Sequence, residues 1–325
     1  VRALVISEAD GDVATSVRDV DPADLPEGDV TVDVEYSTVN YKDALAILRG
    51  RPVVRSFPMV PGIDFAGTVV SSAHDAWRAG DQVVLNGWGV GEEHWGGLAE
   101  RARVDGQWLI ARPAALSARD CMVLGTAGYT AMLAVRALQR EGLDASSGPV
   151  LVTGATGGVG SVAIAILASL GIDVIAATGK REESYLTELG AREIVDRDEL
   201  GAELRPLGKR RWAHAIDNVG GTVLAGVLAS TSDRGTVVAC GNAGGMEVPT
   251  TVAPFILRGV RLVGIESVRT PTPARVDAWN TLSERIPRTF IDAVGREIAL
   301  PDAIEAAETL LAGEMTGRVV VDVRT

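Results

Sequence analysis

Apolar and polar positions change rhythm once along this chain. Over the first hundred residues the apolar runs are short and β-branched: Ala3-Leu-Val-Ile6, Val30-Thr-Val-Asp-Val-Glu-Tyr36, Phe65-Ala-Gly-Thr-Val-Val70 and Asp81-Gln-Val-Val-Leu85. They alternate or run apolar as strands do, and Asp21-Pro22 and Pro26-Glu-Gly-Asp29 mark turns between them. From about Ser117 a helical spacing takes over, in which Met122, Leu124, Ala127, Ala131, Leu133, Ala134 and Leu138 predict a helix over 117–142. A strand at 149–153, a glycine cluster, a helix over about 161–170 and a strand at 172–177 then form a βαβ crossover. Near-continuous apolar strands at 213–217, 235–239 and 260–265, separated by helical stretches, predict a parallel sheet covered on both faces. The tail returns to the earlier pattern in Arg318-Val-Val-Val-Asp-Val323 and is expected to complete the first domain. The expected class is α/β, with a β-rich domain over 1–120 and 291–325 and a doubly wound parallel-sheet domain over 121–290.

Composition narrows the partners. The 325 residues suit roughly two domains, and 46% hydrophobic content can fill their cores. A net charge of −12 argues against a nucleic-acid or anionic-membrane binder, which would carry a basic face. Cys121 and Cys240 are too few for a disulfide framework or a thiolate zinc site and read as small buried hydrophobes. His74, His94 and His214 fall in no metal-ligand spacing, so no metal is expected. The first residues show no signal-peptide pattern, and the apolar stretch 162–177 is broken by Ser169, Gly171 and Asp173. A cytoplasmic protein with no membrane partner is the expectation.

Gly154-Ala-Thr-Gly157-Gly158-Val-Gly160 lies between a strand and a helix. Both Ala155-x-Gly157-x-x-Gly160 and Gly158-x-Gly160-x-x-Ala163 fit the dinucleotide fingerprint, whose backbone approaches a pyrophosphate at a helix amino terminus. A glycine-rich helix entry with no ligand is the plainer alternative. An NAD-preferring site places an acid about 20 residues further on. Here the chain reads Ala176-Ala-Thr178-Gly179-Lys180-Arg181, with no acid before Glu182. A hydroxyl and two cations suit a 2′-phosphate, so NADPH is favoured over a solvated helix start.

Val39-Asn40-Tyr41-Lys42-Asp43, Pro61-Gly-Ile63-Asp64-Phe-Ala-Gly67, Gly80-Asp-Gln-Val83 and Asp217-Asn-Val-Gly-Gly221 resemble, in order, the landmarks of the medium-chain dehydrogenase/reductase superfamily. The resemblance spans nearly the whole chain and implies a GroES-like β domain plus a Rossmann domain. Asn40 and Ile63 stand where zinc-dependent members carry a cysteine and a histidine, which implies the zinc-free quinone oxidoreductase branch. Residues 88–100, 240–245 and 249–258 are similar to its acryloyl-CoA reductase group. That group implies a homodimer that reduces acryloyl-CoA with NADPH. Its cofactor contacts fall on Tyr41, Thr156, Gly157, Gly158, Val159, Thr178, Gly179, Lys180, Arg197, Asn242, Ile256, Ser267 and Gly313.

Without a metal, a conjugated double bond is an easier target than an alcohol. Hydride at the β-carbon moves charge to the carbonyl oxygen, which needs a hydrogen-bond donor, and the α-carbon needs a proton. Tyr41 is the candidate catalytic residue, the alternative being a ring that packs on nicotinamide. Asp64 is a candidate orienter, His94 a loop-fixing or functional residue, and Arg49, Arg51 and Arg55 either a coenzyme A phosphate site or a solvated face. Reduction of a short enoyl-CoA, reduction of a quinone or small enone, and a catalytically idle binding protein on the same fold all remain open.

Overall fold

The computed structural model describes residues 1–180, 183–202 and 205–325. Its β-rich start comprises β1 (Arg2–Ala9), β2 (Asp12–Asp19), β3 (Val30–Thr38), α1 (Tyr41–Arg49), β4 (Asp64–Ser72), β5 (Gln82–Asn86), β6 (Arg101–Val104) and β7 (Ile110–Ala111). Helix α2 (Ala118–Arg140) follows. The alternating region runs β8 (Val150–Thr153), α3 (Gly158–Ser169), β9 (Val174–Thr178), α4 (Glu183–Glu188), β10 (Ala191–Asp196) and α5 (Arg197–Gly201). It continues through β11 (His214–Asp217), α6 (Gly221–Ser230), β12 (Thr236–Ala239), α7 (Ala253–Arg258) and β13 (Arg261–Gly264). The tail holds α8 (Thr272–Arg285), α9 (Arg288–Val294), β14 (Gly295–Ala299), α10 (Ala303–Leu311) and β15 (Arg318–Asp322).

These elements gather into two units. The first takes Val1–Thr126, Val268–Glu284 and Ile291–Thr325; the second takes Ala127–Ser267 and Arg285–Phe290. In the first unit β14-β15-β3-β4-β5-β7 form one sheet, β6 also pairs with β3, and β1-β2 make a separate hairpin. Val30, Val32, Val34, Phe65, Val83 and Leu85 share a core with Val319 and Val321, so the returning tail strand is part of this sheet. Segment Val268–Glu284, expected with the parallel sheet, packs here instead because the buried Arg275 and Trp279 of α8 bond to Asn86 at the end of β5.

The second unit is a parallel sheet in the order β10-β9-β8-β11-β12-β13, the doubly wound 3-2-1-4-5-6 arrangement. Its central strands are buried throughout, and α3 buries every residue from Gly160 to Leu167, as a helix apolar all round must. Helix α2 is long and apolar enough to cross a membrane by length and composition, but 89% of its apolar window is buried within the protein. A left-handed Gly125 (φ 50) also kinks it.

Candidate active site

In the second unit the sheet's carboxyl edge carries the glycine loop. Gly157 is the amino cap of α3 and supplies no capping side chain, so the first N–H groups of this helix remain available to an anion. At its last glycine the loop tolerates no bulk. A Cβ at Gly160 would lie 2.3 Å from the Gly154 carbonyl oxygen. Behind the loop, Asp217 at the end of β11 accepts from Thr153 Oγ1 at 2.7 Å and from the Gly220 N–H at 2.7 Å, and burial raises its carboxyl above the usual range. Asn218 donates to the Thr153 carbonyl at 2.7 Å, locking β8 to β11 beneath the turn.

The neighbouring strand end supplies the cations. Thr178 and Asp196 are register partners at the ends of β9 and β10. Thr178 Oγ1 accepts from the Lys180 N–H at 3.0 Å, and the Arg197 guanidinium lies over Gly179, 3.0 Å from where a Cβ would stand. Thr178, Gly179, Lys180 and Arg197 therefore form one group; Arg181 lies outside the described residues. No acid intervenes on β9, so the arrangement fits a phosphorylated adenine ribose. Thr156 and Val159 belong to the loop itself, and Asn242 sits in the turn against Gly220. Ser267 follows the end of β13. Ile256 is set apart, 73% exposed on α7. A cavity of about 820 Å³ opens at the ends of β12 and β13, lined by Gly220, Cys240, Asn242, Met246, Leu262 and Ile265. The Cys240 thiol donates to Asn218 Oδ1 at 3.1 Å, and burial, with Asp217 beside it, pushes its ionisation up to about 12. Burial raises the Cys121 thiol as well.

The first unit builds a polar knot beneath Tyr41. Asn40 caps α1, and its amide nitrogen shares its two hydrogens among Thr38 Oγ1 at 2.8 Å and Asp43 Oδ2 and Asp64 Oδ2 at 3.0 Å each. Arg318 donates to Asn40 Oδ1 at 3.0 Å and, through Nε, to the Val123 carbonyl at 3.2 Å. Asp43 Oδ1 receives the Gly62 and Ile63 N–H groups, and Asp64 receives Thr126 N–H at 2.6 Å. All five side chains are buried. Burial, then the charge of Asp64, raises the Asp43 carboxyl to about 7, while burial lowers the Arg318 guanidinium. Asn40 thus serves as a donor and, with Ile63, forms no ligand set; among the described residues no group of three or more His, Cys, Asp or Glu side chains gathers as a metal site.

Tyr41 is the first residue of α1, 44% exposed, and its hydroxyl has no partner among the described residues. Gly313 has φ 75 just past the end of α10, so helix termination alone accounts for a glycine there. His94 Nε2 lies 2.7 Å from the Arg103 carbonyl and its ring meets Trp108 edge-on, a loop-fixing role. Arg51 is engaged by Glu8 at 3.5 Å and by the Phe57 ring, whereas Arg49 and Arg55 are exposed. Arg318, Asp43 and Arg275 carry roles that sequence patterns did not single out.

A zinc-binding dehydrogenase model matches residues 158–286, and an alcohol dehydrogenase GroES-like domain model matches residues 26–114. The chain is 52% identical over 324 residues to the probable acrylyl-CoA reductase AcuI of Escherichia coli K12, covering 99% of this chain and 100% of the relative. It is 50% identical to the acrylyl-CoA reductase AcuI of Ruegeria pomeroyi, over 99% of this chain and 98% of that one. The crystal structure of E. coli K-12 YhdH with bound NADPH superposes with a TM-score of 0.97 at 52% identity, covering 99% of both chains. With a GroES-like domain, a Rossmann order of strands and full-length relatives at this identity, the chain belongs to the medium-chain dehydrogenase/reductase superfamily, in the quinone oxidoreductase-like group that contains the AcuI acrylyl-CoA reductases.

Proposed function

We propose that this protein reduces the conjugated double bond of a short enoyl-CoA, acrylyl-CoA to propionyl-CoA, with NADPH. The observation that carries the reading is full-length identity to AcuI reductases together with a cation-bearing, acid-free strand end at Thr178–Lys180. When bound, the nicotinamide supplies a hydride to the β-carbon of the acyl group. Thr156, Gly157, Gly158 and Val159 would hold the pyrophosphate on the amino terminus of α3. Thr178, Gly179, Lys180 and Arg197 would hold the 2′-phosphate, with Asn242, Ile256, Ser267, Tyr41 and Gly313 as the further contacts that family position assigns.

The chain's own contribution is to stabilise the negative charge that develops on the thioester oxygen while the α-carbon takes up a proton. Negative charge that develops on the thioester oxygen requires a donor, and a free phenol at the amino terminus of a helix can donate where the local dipole favours negative charge. The Asn40 knot beneath it fixes the start of that helix. A conjugated thioester accepts hydride without a Lewis acid, which suits described residues that gather no set of metal ligands. The coenzyme A handle supplies binding energy remote from a three-carbon acyl group too small to position itself.

Two further features complete the proposal. β13 is the edge of its sheet, and Met246, Val252, Leu257 and Leu262 on it and in the chain leading to it are exposed, a patch that a second copy of the chain would cover to make a homodimer. Two free cysteines suit a reducing cytoplasm.

The test is kcat/KM for acrylyl-CoA against a small quinone under saturating NADPH. Preference for the thioester supports the reading; a ten-fold preference for the quinone replaces it. Tyr41→Phe should lower kcat with little change in NADPH affinity, whereas a packing ring would leave turnover intact in Phe and lose it in Tyr41→Ala.

A further inference from the structure

The amino ends of β8, β11 and β12 meet at the sheet edge opposite the glycine loop. There a cleft of about 360 Å³ is lined by Arg210, Arg211, His214, Asp233 and Arg234. We propose that this cleft is a binding site for a small phosphate-bearing anion, separate from the cofactor cradle and independent of the reductase reading.

Charge is the first argument. Three arginines converge here in a chain of net charge −12. Asp233 engages Arg210 at 2.8 Å. Arg211 lies over the Trp212 ring at 5.2 Å, and among the described residues neither Arg211 nor Arg234 has a carboxylate partner. Of the carboxylates whose charge reaches His214, Glu141 pairs with Arg261 and Asp144 accepts from Ser146. Two guanidinium forks are left for a ligand, the geometry that recognises phosphate bidentately.

Preorganisation is the second. His214 is 7% exposed, and its Nδ1 accepts from the Thr236 N–H at 3.1 Å, so Nε2 carries the ring proton. Burial and Arg261 lower its pKa, which keeps it a neutral donor. Arg234 is held at φ 61, a left-handed conformation that a non-glycine residue adopts at a cost and keeps only where its surroundings impose it. The imposing residue is Arg258. It receives the Arg234 N–H on its carbonyl at 2.6 Å while its buried guanidinium bonds to the carbonyls of Gly208, Ala229 and Thr231. Those bonds also satisfy the carboxyl end of α6, the other reason for cations to collect here. Arg211 and Arg234 are surplus to that role.

Calorimetric titration of the full chain with inorganic pyrophosphate, and separately with inorganic phosphate, tests the site with and without saturating NADPH. One pyrophosphate per chain should bind in the presence of NADPH. Arg211→Gln and Arg234→Gly should each weaken it by about ten-fold or more, the value of one charge-assisted contact. Arg234→Gly removes the cation and relieves the backbone together, so its Tm should match or exceed the parent's and lost binding there is not lost folding. Phosphate binding with the same variant dependence identifies the phosphate group itself as what is recognised. Displacement of pyrophosphate by NADPH, affinity unchanged in both variants, or no binding at millimolar pyrophosphate would each overturn the proposal.

Discussion

Around Asn40 the chain buries two carboxylates, an amide, a hydroxyl and a guanidinium in one hydrogen-bonded group, whereas around Gly157 it buries backbone, methyl groups and space. Each of the two groups is held in place by different physics. The knot is specified by complementarity of charge, and deleting one member leaves another buried without a partner. The cradle is specified by volume at Gly160, where any side chain meets backbone. The first should fail through stability and the second through ligand affinity.

Arg318→Met is the severest way to break that contrast. Removing one member of a buried ionic group costs about 3–5 kcal/mol, and chemical denaturation should register it as lost stability. Adding Asp64→Asn should recover part of the loss by removing the stranded charge, a coupling that a double-mutant cycle reads directly.

The next effect is on pH. Asp43 is raised from 3.8 to about 7, so between those values the folded state keeps a proton that the unfolded state has released. Its contribution is therefore full below about pH 4 and falls as pH rises toward about 7, by at most about 1.4 kcal/mol per pH unit. Denaturation midpoints measured across that window should show this slope in the parent and a flatter one in Asp43→Asn. An equal slope in both would mean that the knot does not hold the proton.

Gly160→Ala probes the cradle. Its Cβ meets backbone that cannot rotate away, so overpacking of about 1–3 kcal/mol is expected. The distinguishing result is a larger loss in NADPH titration than in Tm. Lys180→Ala is the mildest. Stability should stay within about 0.5 kcal/mol, while NADPH affinity falls about ten-fold and NADH affinity does not.

The same contrast explains what the sequence discloses. The cradle is contiguous: its glycines lie within 154–160 and its cations begin at Lys180, so spacing alone locates it. The βαβ rhythm likewise yields the parallel sheet. The knot is assembled across the chain, with Arg318 bonding to Thr38 and Asn40 at separations of 280 and 278 residues. Nothing local distinguishes Arg318 from a charged residue at an exposed strand end. Arg275 and Trp279 are equally silent, because a helix after β13 reads as one more element of the alternating series until Asn86 is seen to anchor it. Strand β2 is polar at too many positions to stand out from its turn.

The state of the two thiols bears on how long such a protein survives its work. A conjugated thioester is a Michael acceptor, and thiolate, not thiol, adds to it. Cys240 lines the cavity at the ends of β12 and β13, yet burial and the neighbouring Asp217 push its ionisation up to about 12, so the thiol form dominates at neutral pH. Cys121 is buried and raised as well. The raised ionisation of both thiols therefore disfavours their alkylation by a conjugated thioester.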